Sequence, residues 1–132
     1  MIKPAQLYKE EIKKKYIETW YNEEYMYYSG WSGVEELDIP NNNYDSHHFV
    51  SVDNNGNILG YISYSVSFVT MSADRFGAIS FDKGNVLFAK DLYQIICDIF
   101  EKYHLNRLCW SCIADNPAIR GYRNFIKEHG GR

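Results

Sequence analysis

The chain has 132 residues, enough for one domain with a core of its own and too few for two. Its 45% hydrophobic and 23% charged residues are typical of a globular protein, and we treat residues 1–132 as a single domain. The net charge of −3 provides no basic field for binding a nucleic acid. No apolar stretch is long enough to span a bilayer, and the first residues do not resemble a signal peptide. The odd number of cysteines, three, and the lack of a signal peptide favour the reducing cytoplasm as the compartment. From the charge and the lack of a long apolar stretch, we expect no nucleic-acid partner and no membrane partner.

The N-terminal third predicts a helix followed by a loop. A helix is predicted from Pro4 to about Tyr28, because Tyr8, Ile12, Tyr16 and Trp20 recur every four positions. Two glycines and two serines within 29–33 should end this helix. The segment Glu35–Asp45 contains a proline and three consecutive asparagines, and it predicts a loop.

The middle of the chain predicts antiparallel strands. A strand over His48–Val52 is followed at residues 53–57 by an Asn- and Gly-rich turn, since these residues accept the positive φ of tight hairpins. From Ile58 the sequence alternates, which predicts that the even-numbered residues up to Phe68 share one face of the next strand. A further strand is predicted over Phe76–Phe81.

Two helices and one more strand follow. An apolar stripe predicts a helix over Val86–Tyr103, and Leu105–Ile113 predicts a buried strand. An Asn-Pro pair at 116–117 begins a last helix, which runs to about His129 before two glycines. The unit Phe76–Ile113 is therefore β-α-β with parallel strands. The predicted fold is α/β, an α+β arrangement on a mixed sheet.

The last helix carries the most specific pattern in the sequence. Residues 116–122 read Asn-Pro-Ala-Ile-Arg-Gly-Tyr, followed by Phe125 and Gly130. This segment resembles the last helix of the GNAT acetyl-CoA-dependent N-acetyltransferases, where an asparagine, a spacer with alanine and a tyrosine lead into a helix ended by glycine. The hairpin His48–Phe68 is also similar to the second and third strands of that fold, and the order of elements matches throughout.

The resemblance implies that acetyl-CoA is the cosubstrate. Its pantetheine arm would pair, like an added strand, with the edge between two splayed parallel strands. The backbone N–H groups of Ile79, Ser80 and Phe81 would then polarise the thioester carbonyl. The pyrophosphate would bind at the start of the helix that begins near Val86.

The loop before that helix departs from the family pattern of Gln/Arg-x-x-Gly-x-Gly/Ala. Here Lys83, Gly84, Asn85 and Val86 keep one glycine and place valine where the second small residue belongs. Backbone N–H groups still suit a phosphate, but the larger residue makes close approach harder. Lys83 adds a favourable positive charge, whereas Asp82 opposes it.

In the last helix the resemblance implies roles for three residues. Tyr122 matches the family tyrosine that protonates the departing thiolate, although packing of the helix against the sheet explains a tyrosine equally well. Asn116 either caps the helix or hydrogen-bonds the pantetheine, and Arg120 is counted among the cofactor-binding residues. The spacing from Asn116 to Tyr122 is one residue shorter than the commonest pattern, a rotation of about 100 degrees on a helix.

The sequence ends at Arg132, whereas the family normally continues with two more strands. We therefore expect a C-terminally short sheet with an exposed edge, which is a liability for aggregation. We expect that a second copy of the chain covers this edge and that the protein is therefore a homodimer.

The acceptor wall is expected in the first helix and the loop that follows it. Aromatic rings attract a cation, and a carboxylate accepts its proton, so this composition suits an amine. Helix packing and a solvated acidic loop explain the same residues, and no single general base is named. The residues are Trp20, Tyr21, Tyr25, Tyr27, Tyr28, Trp31, Glu35, Glu36 and Asp38.

Cys109 and Cys112 form a Cys-x-x-Cys pattern within the predicted strand. A thioredoxin-type pair needs a helix N-terminus, and side chains at these positions of a strand point to opposite faces. Zinc needs further ligands at suitable spacing, and the sequence supplies none. We expect buried structural thiols and no metal site.

Two functions stay open at this point. The first is an N-acetyltransferase that moves an acetyl group from acetyl-CoA to a primary amine of a small molecule or peptide by direct attack. The second is a non-catalytic GNAT-fold module that binds CoA or serves in protein assembly. Tyr122 and Asn116 favour the first, whereas the altered loop and the short C-terminus favour the second.

Overall fold

The computed structural model describes residues 1–19, 39, 42, 46–82, 84–110 and 119–131. None of the helices in these ranges has the length and apolar character of a membrane span. The elements are β1 (Ile2–Pro4), a 3₁₀ turn (Ala5–Tyr8), α1 (Lys9–Thr19), β2 (Ser46–Val52), β3 (Ile58–Ser67), β4 (Ser72–Ser80), α2 (Val86–Tyr103), β5 (Arg107–Trp110) and α3 (Ile119–Glu128).

The five strands form one mixed sheet in the order β1-β2-β3-β4-β5. Neighbouring strands are antiparallel except β4 and β5, which are parallel and joined through α2. This confirms the mixed α+β fold and the predicted β-α-β unit. Strand β1 was not predicted, because three residues are too short for an alternating pattern to be visible.

Several predicted boundaries need correction. The first helix begins as a 3₁₀ turn and continues as α1 to Thr19, and its predicted remainder lies outside the described residues. Strand β4 begins at Ser72, four residues before the predicted start, and ends at Ser80. The described part of β5 ends at Trp110. Of the predicted loop Glu35–Asp45, Ile39 and Asn42 alone are described.

A β-bulge at the start of β3 overturns part of the predicted face pattern. The register of β2 and β3 shifts after Ser51, which leaves one extra residue on β3. Leu59 therefore lies in the same core as Ile62, whereas Ile58 lies in the opposite core with Tyr61. The prediction that Ile58 shares a face with Ile62 is wrong, because the bulge shifts the alternation by one residue.

The sheet buries both of its faces against helices. On one face, Phe88, Leu92, Ile95 and Ile99 of α2 pack on the strands, which confirms the predicted apolar stripe. On the other face, the side chains of α1 pack over β2 and β3, with Tyr16 fully buried. We call these the α2 face and the α1 face of the sheet.

A second bulge lies in β4, next to its junction with β5. The register of β4 shifts against both β3 and β5 between Ala73 and Gly77. Within the bulge, Arg75 has φ 53°, a left-handed conformation that is costly for a residue with a side chain. The described pairing of β4 with β5 ends at Phe76 and Trp110, four residues before β4 itself ends.

Helix α3 ends at the predicted pair of glycines. Gly131 N–H donates to Ile126 O over 2.8 Å, and Gly130 N–H donates to Lys127 O over 3.3 Å. Gly130 has φ 77°, the positive value that this helix ending requires. These bonds satisfy two carbonyls of the last turn of α3, and a Cβ at Gly131 would lie 2.6 Å from Ile126 Cγ2, so both positions suit glycine.

Candidate active site

A phenol from α3 reaches the edge of β4. The hydroxyl of Tyr122 donates a hydrogen bond to the carbonyl oxygen of Ala78 over 3.0 Å. The ring of Tyr122 lies 4.6 Å from that of Trp110, which in turn lies 5.0 Å from Phe76. These contacts hold Tyr122 at the junction of β4 and β5. The last described pair of β4 with β5 is Phe76 with Trp110, so within the described residues Ala78 O lies beyond that pairing.

Hydrogen bonds on the two sides of β4 define which peptide groups face this edge. Phe81 N–H donates to Leu59 O on β3 over 2.9 Å. Successive residues of a strand direct their peptide groups to opposite sides, so Ile79 also faces β3. Ala78 and Ser80 face away from β3, in agreement with the bond from Tyr122 to Ala78. We call residues 77–80 of β4, on this side, the β4 edge.

The predicted thioester contacts are therefore divided between two sides of β4. The prediction for Phe81 is wrong, because its N–H is bonded to β3. The peptide group of Ile79 also faces β3, and its half-buried side chain packs in the α1-face core. Ser80 faces the β4 edge, and its hydroxyl donates to Asp82 O over 2.9 Å. Ala78, whose peptide group faces the β4 edge, was not predicted as a site residue, because the sequence does not show which side of a strand each N–H faces.

The start of α2 is closed by its own cap. The side-chain oxygen of Asn85 accepts hydrogen bonds from the N–H groups of Leu87, over 2.9 Å, and Phe88, over 3.2 Å. Gly84 precedes it with φ 76°, a conformation that suits glycine. Asn85 thus satisfies first-turn donors that the resemblance assigned to a pyrophosphate. The sequence signal for this role was present, since Asn is a favoured cap.

A carboxylate stands beside the same helix start. Asp82 Oδ2 accepts a hydrogen bond from Asn85 Nδ2 over 2.9 Å, and its side chain is exposed. Val86, the first residue of α2, is 66% exposed. A negative charge at a helix N-terminus is favourable for the helix, but it repels a second anion there. Lys83 lies outside the described residues.

Of the remaining predicted cofactor-binding residues, the structure describes Arg120. Arg120 is exposed in the first turn of α3. Asn116, and the residues 20–38 that include the expected acceptor wall, lie outside the described residues. Cys97 and Cys109 are free, half-buried thiols, and Cys112 is not described. Within the described ranges, no group of His, Cys, Asp and Glu side chains could hold a metal ion.

A hydrogen-bonded chain of side chains on β2 and β3 was missed from the sequence. His48 Nδ1 lies 2.6 Å from the hydroxyl of Tyr61, and His48 Nε2 lies 2.7 Å from that of Ser46. Burial, together with the neighbouring His47, lowers the pKa of His48. Burial also raises the pKa of Tyr61 to about 12. The lowered pKa favours the neutral form of the His48 imidazole, which lies two strands away from the β4 edge.

Comparison with known proteins finds likeness in structure alone. The sequence matches no family model and no curated protein. A crystal structure of a probable acetyltransferase aligns with 100% of this chain and 88% of its own, with a TM-score of 0.68 at 14% identity. A spermidine N-acetyltransferase chimera of Vibrio cholerae SpeG and hSSAT aligns over 63% of this chain and 54% of its own, with a TM-score of 0.51 at 19% identity.

Mutant forms of the spermidine/spermine N-acetyltransferase SpeG from Vibrio cholerae align over 67% of this chain and 52% of their own. Their TM-score is 0.51 at 19% identity. This chain thus spans about half the length of the SpeG proteins that it matches. At these identities the likeness shows the fold alone.

Proposed function

Because the chain has the fold of the GNAT acetyltransferases, we propose that it transfers an acetyl group from acetyl-CoA to a primary amine of a small molecule or peptide. The observation that carries this proposal is the hydrogen bond from Tyr122 to Ala78 O. This bond brings the hydroxyl of Tyr122 to the β4 edge, where we propose that it acts as the proton donor. Transfer of an acetyl group from a thioester to an amine needs a proton donor beside a strand edge that can hold the thioester.

In the proposed reaction, the pantetheine arm pairs along the β4 edge. The N–H of Ala78 faces this edge and polarises the thioester carbonyl. The neutral amine attacks the carbonyl carbon, a C–N bond forms, and the C–S bond breaks. Tyr122 gives its proton to the departing thiolate, and the nitrogen loses its extra proton to solvent. The acetylated amine and CoA leave, and solvent returns the proton to Tyr122.

A second function is supported by the start of α2. Asn85 already occupies two first-turn N–H groups, and the carboxylate of Asp82 lies next to them. Both features weaken binding of a pyrophosphate. The alternative is therefore a non-catalytic module of the same fold that binds CoA weakly or acts in protein assembly.

Two measurements separate these functions. Calorimetry with acetyl-CoA and with CoA measures cofactor binding, and release of free thiol in the presence of a panel of primary amines measures transfer. The first function predicts binding and amine-dependent thiol release. Binding without release for any amine would support the second function. No heat of binding and no thermal stabilisation at millimolar acetyl-CoA would contradict the enzyme proposal.

Removing the charge of Asp82 is expected to tighten the binding of acetyl-CoA. We expect Asp82→Asn to lower its Kd about two- to fivefold at low salt, because a like charge near the pyrophosphate is removed. Acetyl-pantetheine, which lacks the pyrophosphate, should bind both proteins equally. Asp98→Asn is the control, because it removes the same charge three turns further along α2. Equal Kd values for the Asp82 variant and the parent protein would exclude a pyrophosphate at this helix start.

We further propose that a second copy of the chain covers the outer edge of β5. Within the described residues, β4 is the one strand that pairs with β5, and exposed strand edges favour further pairing. Light scattering after size exclusion would give the mass of a dimer; a monomer at micromolar concentration would contradict this assembly.

The free thiols of Cys97 and Cys109 suit the reducing cytoplasm, where we expect the protein to act.

A further inference from the structure

A cavity of about 670 Å³ lies between α2, α3 and β5. Its volume is within the range of sites that bind small molecules. Most of its wall is apolar and is built from all three elements. These apolar residues are Ile96, Phe100, Leu108, Trp110, Phe125 and Ile126.

One wall of the cavity is a cluster of aromatic rings that contact one another. The rings of His129 and Tyr93 are stacked with centroids 3.9 Å apart, and Phe125 meets His129 at 4.7 Å with its edge. Trp110 contacts Phe125 at 6.3 Å in the same edge-on manner. The faces of aromatic rings carry negative potential, which attracts a cation.

The charged features of the cavity have the same sign as these ring faces. The carboxylate of Glu101 stands on its α2 side, and no lysine or arginine is among its described lining residues. Gly130 and Gly131, which follow the last turn of α3, line the opposite side. Apolar walls with a negative rim fit a molecule that has an apolar body and a positive end.

We propose that this cavity binds an organic ammonium ion with an aromatic or alkyl body. The body lies against Trp110 and Phe125, and the ammonium group lies against the carboxylate of Glu101. Its recognition depends on charge, because a neutral molecule of the same shape gains the apolar contacts alone. This site goes beyond the proposed acetyl transfer, and it does not depend on it.

The cavity is separate from the β4 edge. It follows α2 from Tyr93 to Glu101, whereas the cofactor phosphates would bind at Val86, two turns before Tyr93. Neither Tyr122 nor Ala78 lines it. Trp110 is the wall between them, since its ring contacts Tyr122 on one side and lines the cavity on the other.

Cys97 provides a direct readout, because its half-buried thiol lines the cavity. In a background of Cys109→Ser and Cys112→Ser, the rate of Cys97 alkylation is measured by mass spectrometry without acetyl-CoA. The probes are 4-phenylbutylamine and its neutral analogue 4-phenylbutanol. We expect the amine to protect Cys97 at concentrations about tenfold lower than the alcohol. No protection by the amine, or equal protection by both, overturns the proposal.

Two variants test the residues involved. Glu101→Gln should weaken the protection of Cys97 by the amine about two- to fivefold, as expected for the loss of an exposed ion pair. The protection of Cys97 by the alcohol should not change. Glu128→Gln, at an acidic residue that does not line the cavity, is the matched control. Ile96→Phe narrows the cavity, so it should weaken the protection of Cys97 by both the amine and the alcohol. An unchanged amine effect in Glu101→Gln overturns the placement of the ammonium, and this result is independent of whether the protein transfers acetyl groups.

Discussion

Replacing Tyr122 by phenylalanine is expected to lower kcat for acetyl transfer about a hundredfold while leaving the Kd of acetyl-CoA nearly unchanged. The phenylalanine ring keeps the contact with Trp110, so the junction of β4 and β5 stays packed. What is lost is the hydroxyl that reaches Ala78 O and would protonate the thiolate. The lost hydrogen bond should lower the free energy of unfolding by about 1 kcal/mol.

The control for this experiment is Tyr103→Phe. Tyr103 ends α2, and its hydroxyl lies 3.5 Å from His47 Nε2, away from the β4 edge. Its kcat should equal that of the parent protein. If Tyr122→Phe also transfers acetyl groups at the parental rate, the tyrosine packs α3 against the sheet and another group protonates the leaving thiolate.

Replacing Gly60 by alanine is expected to lower the free energy of unfolding by about 2–3 kcal/mol. A methyl group at this position would lie 2.2 Å from the ring of Phe88, which is buried between α2 and the sheet. Gly60 thus allows the first turn of α2 to approach β3. Urea unfolding followed by fluorescence measures the change.

Two further variants make this prediction specific. Gly77→Ala is the matched control, because its methyl group would meet nothing nearer than Ser63 Oγ at 3.9 Å, an ordinary contact. The double variant Gly60→Ala with Phe88→Leu should be more stable than the sum of the two single changes predicts, since the smaller side chain makes room for the methyl group. Additive losses would mean that the clash with Phe88 is not the cause.

Local patterns predicted much of this fold. Helix α2 occupies the predicted range Val86–Tyr103, because its apolar stripe and the Asn85 cap are both contained in adjacent residues. The hairpin of β2 and β3 was predicted from its turn, in which Gly56 has φ 83°. The parallel pairing of β4 and β5 followed from the helix between them.

The candidate site was predicted less completely, for two different reasons. Asn85 was assigned to phosphate binding although its cap geometry is a local property, so a closer application of capping preferences would have found it. The contact of Tyr122 with Ala78 joins residues 44 positions apart, and no local pattern contains it. The chain of Ser46, His48 and Tyr61 likewise depends on the pairing of β2 with β3.

The amino-acid sequence by itself determined the order of helices and strands, the stripe that α2 buries and the resemblance centred on residues 116–122. These depend on the spacing of residues along one element. The tertiary structure decided which peptide groups face the β4 edge, because the bulges at Leu59 and Arg75 set the phase of each strand against its neighbours. It also decided that Tyr122 meets Ala78, since that contact depends on how α3 packs against β4.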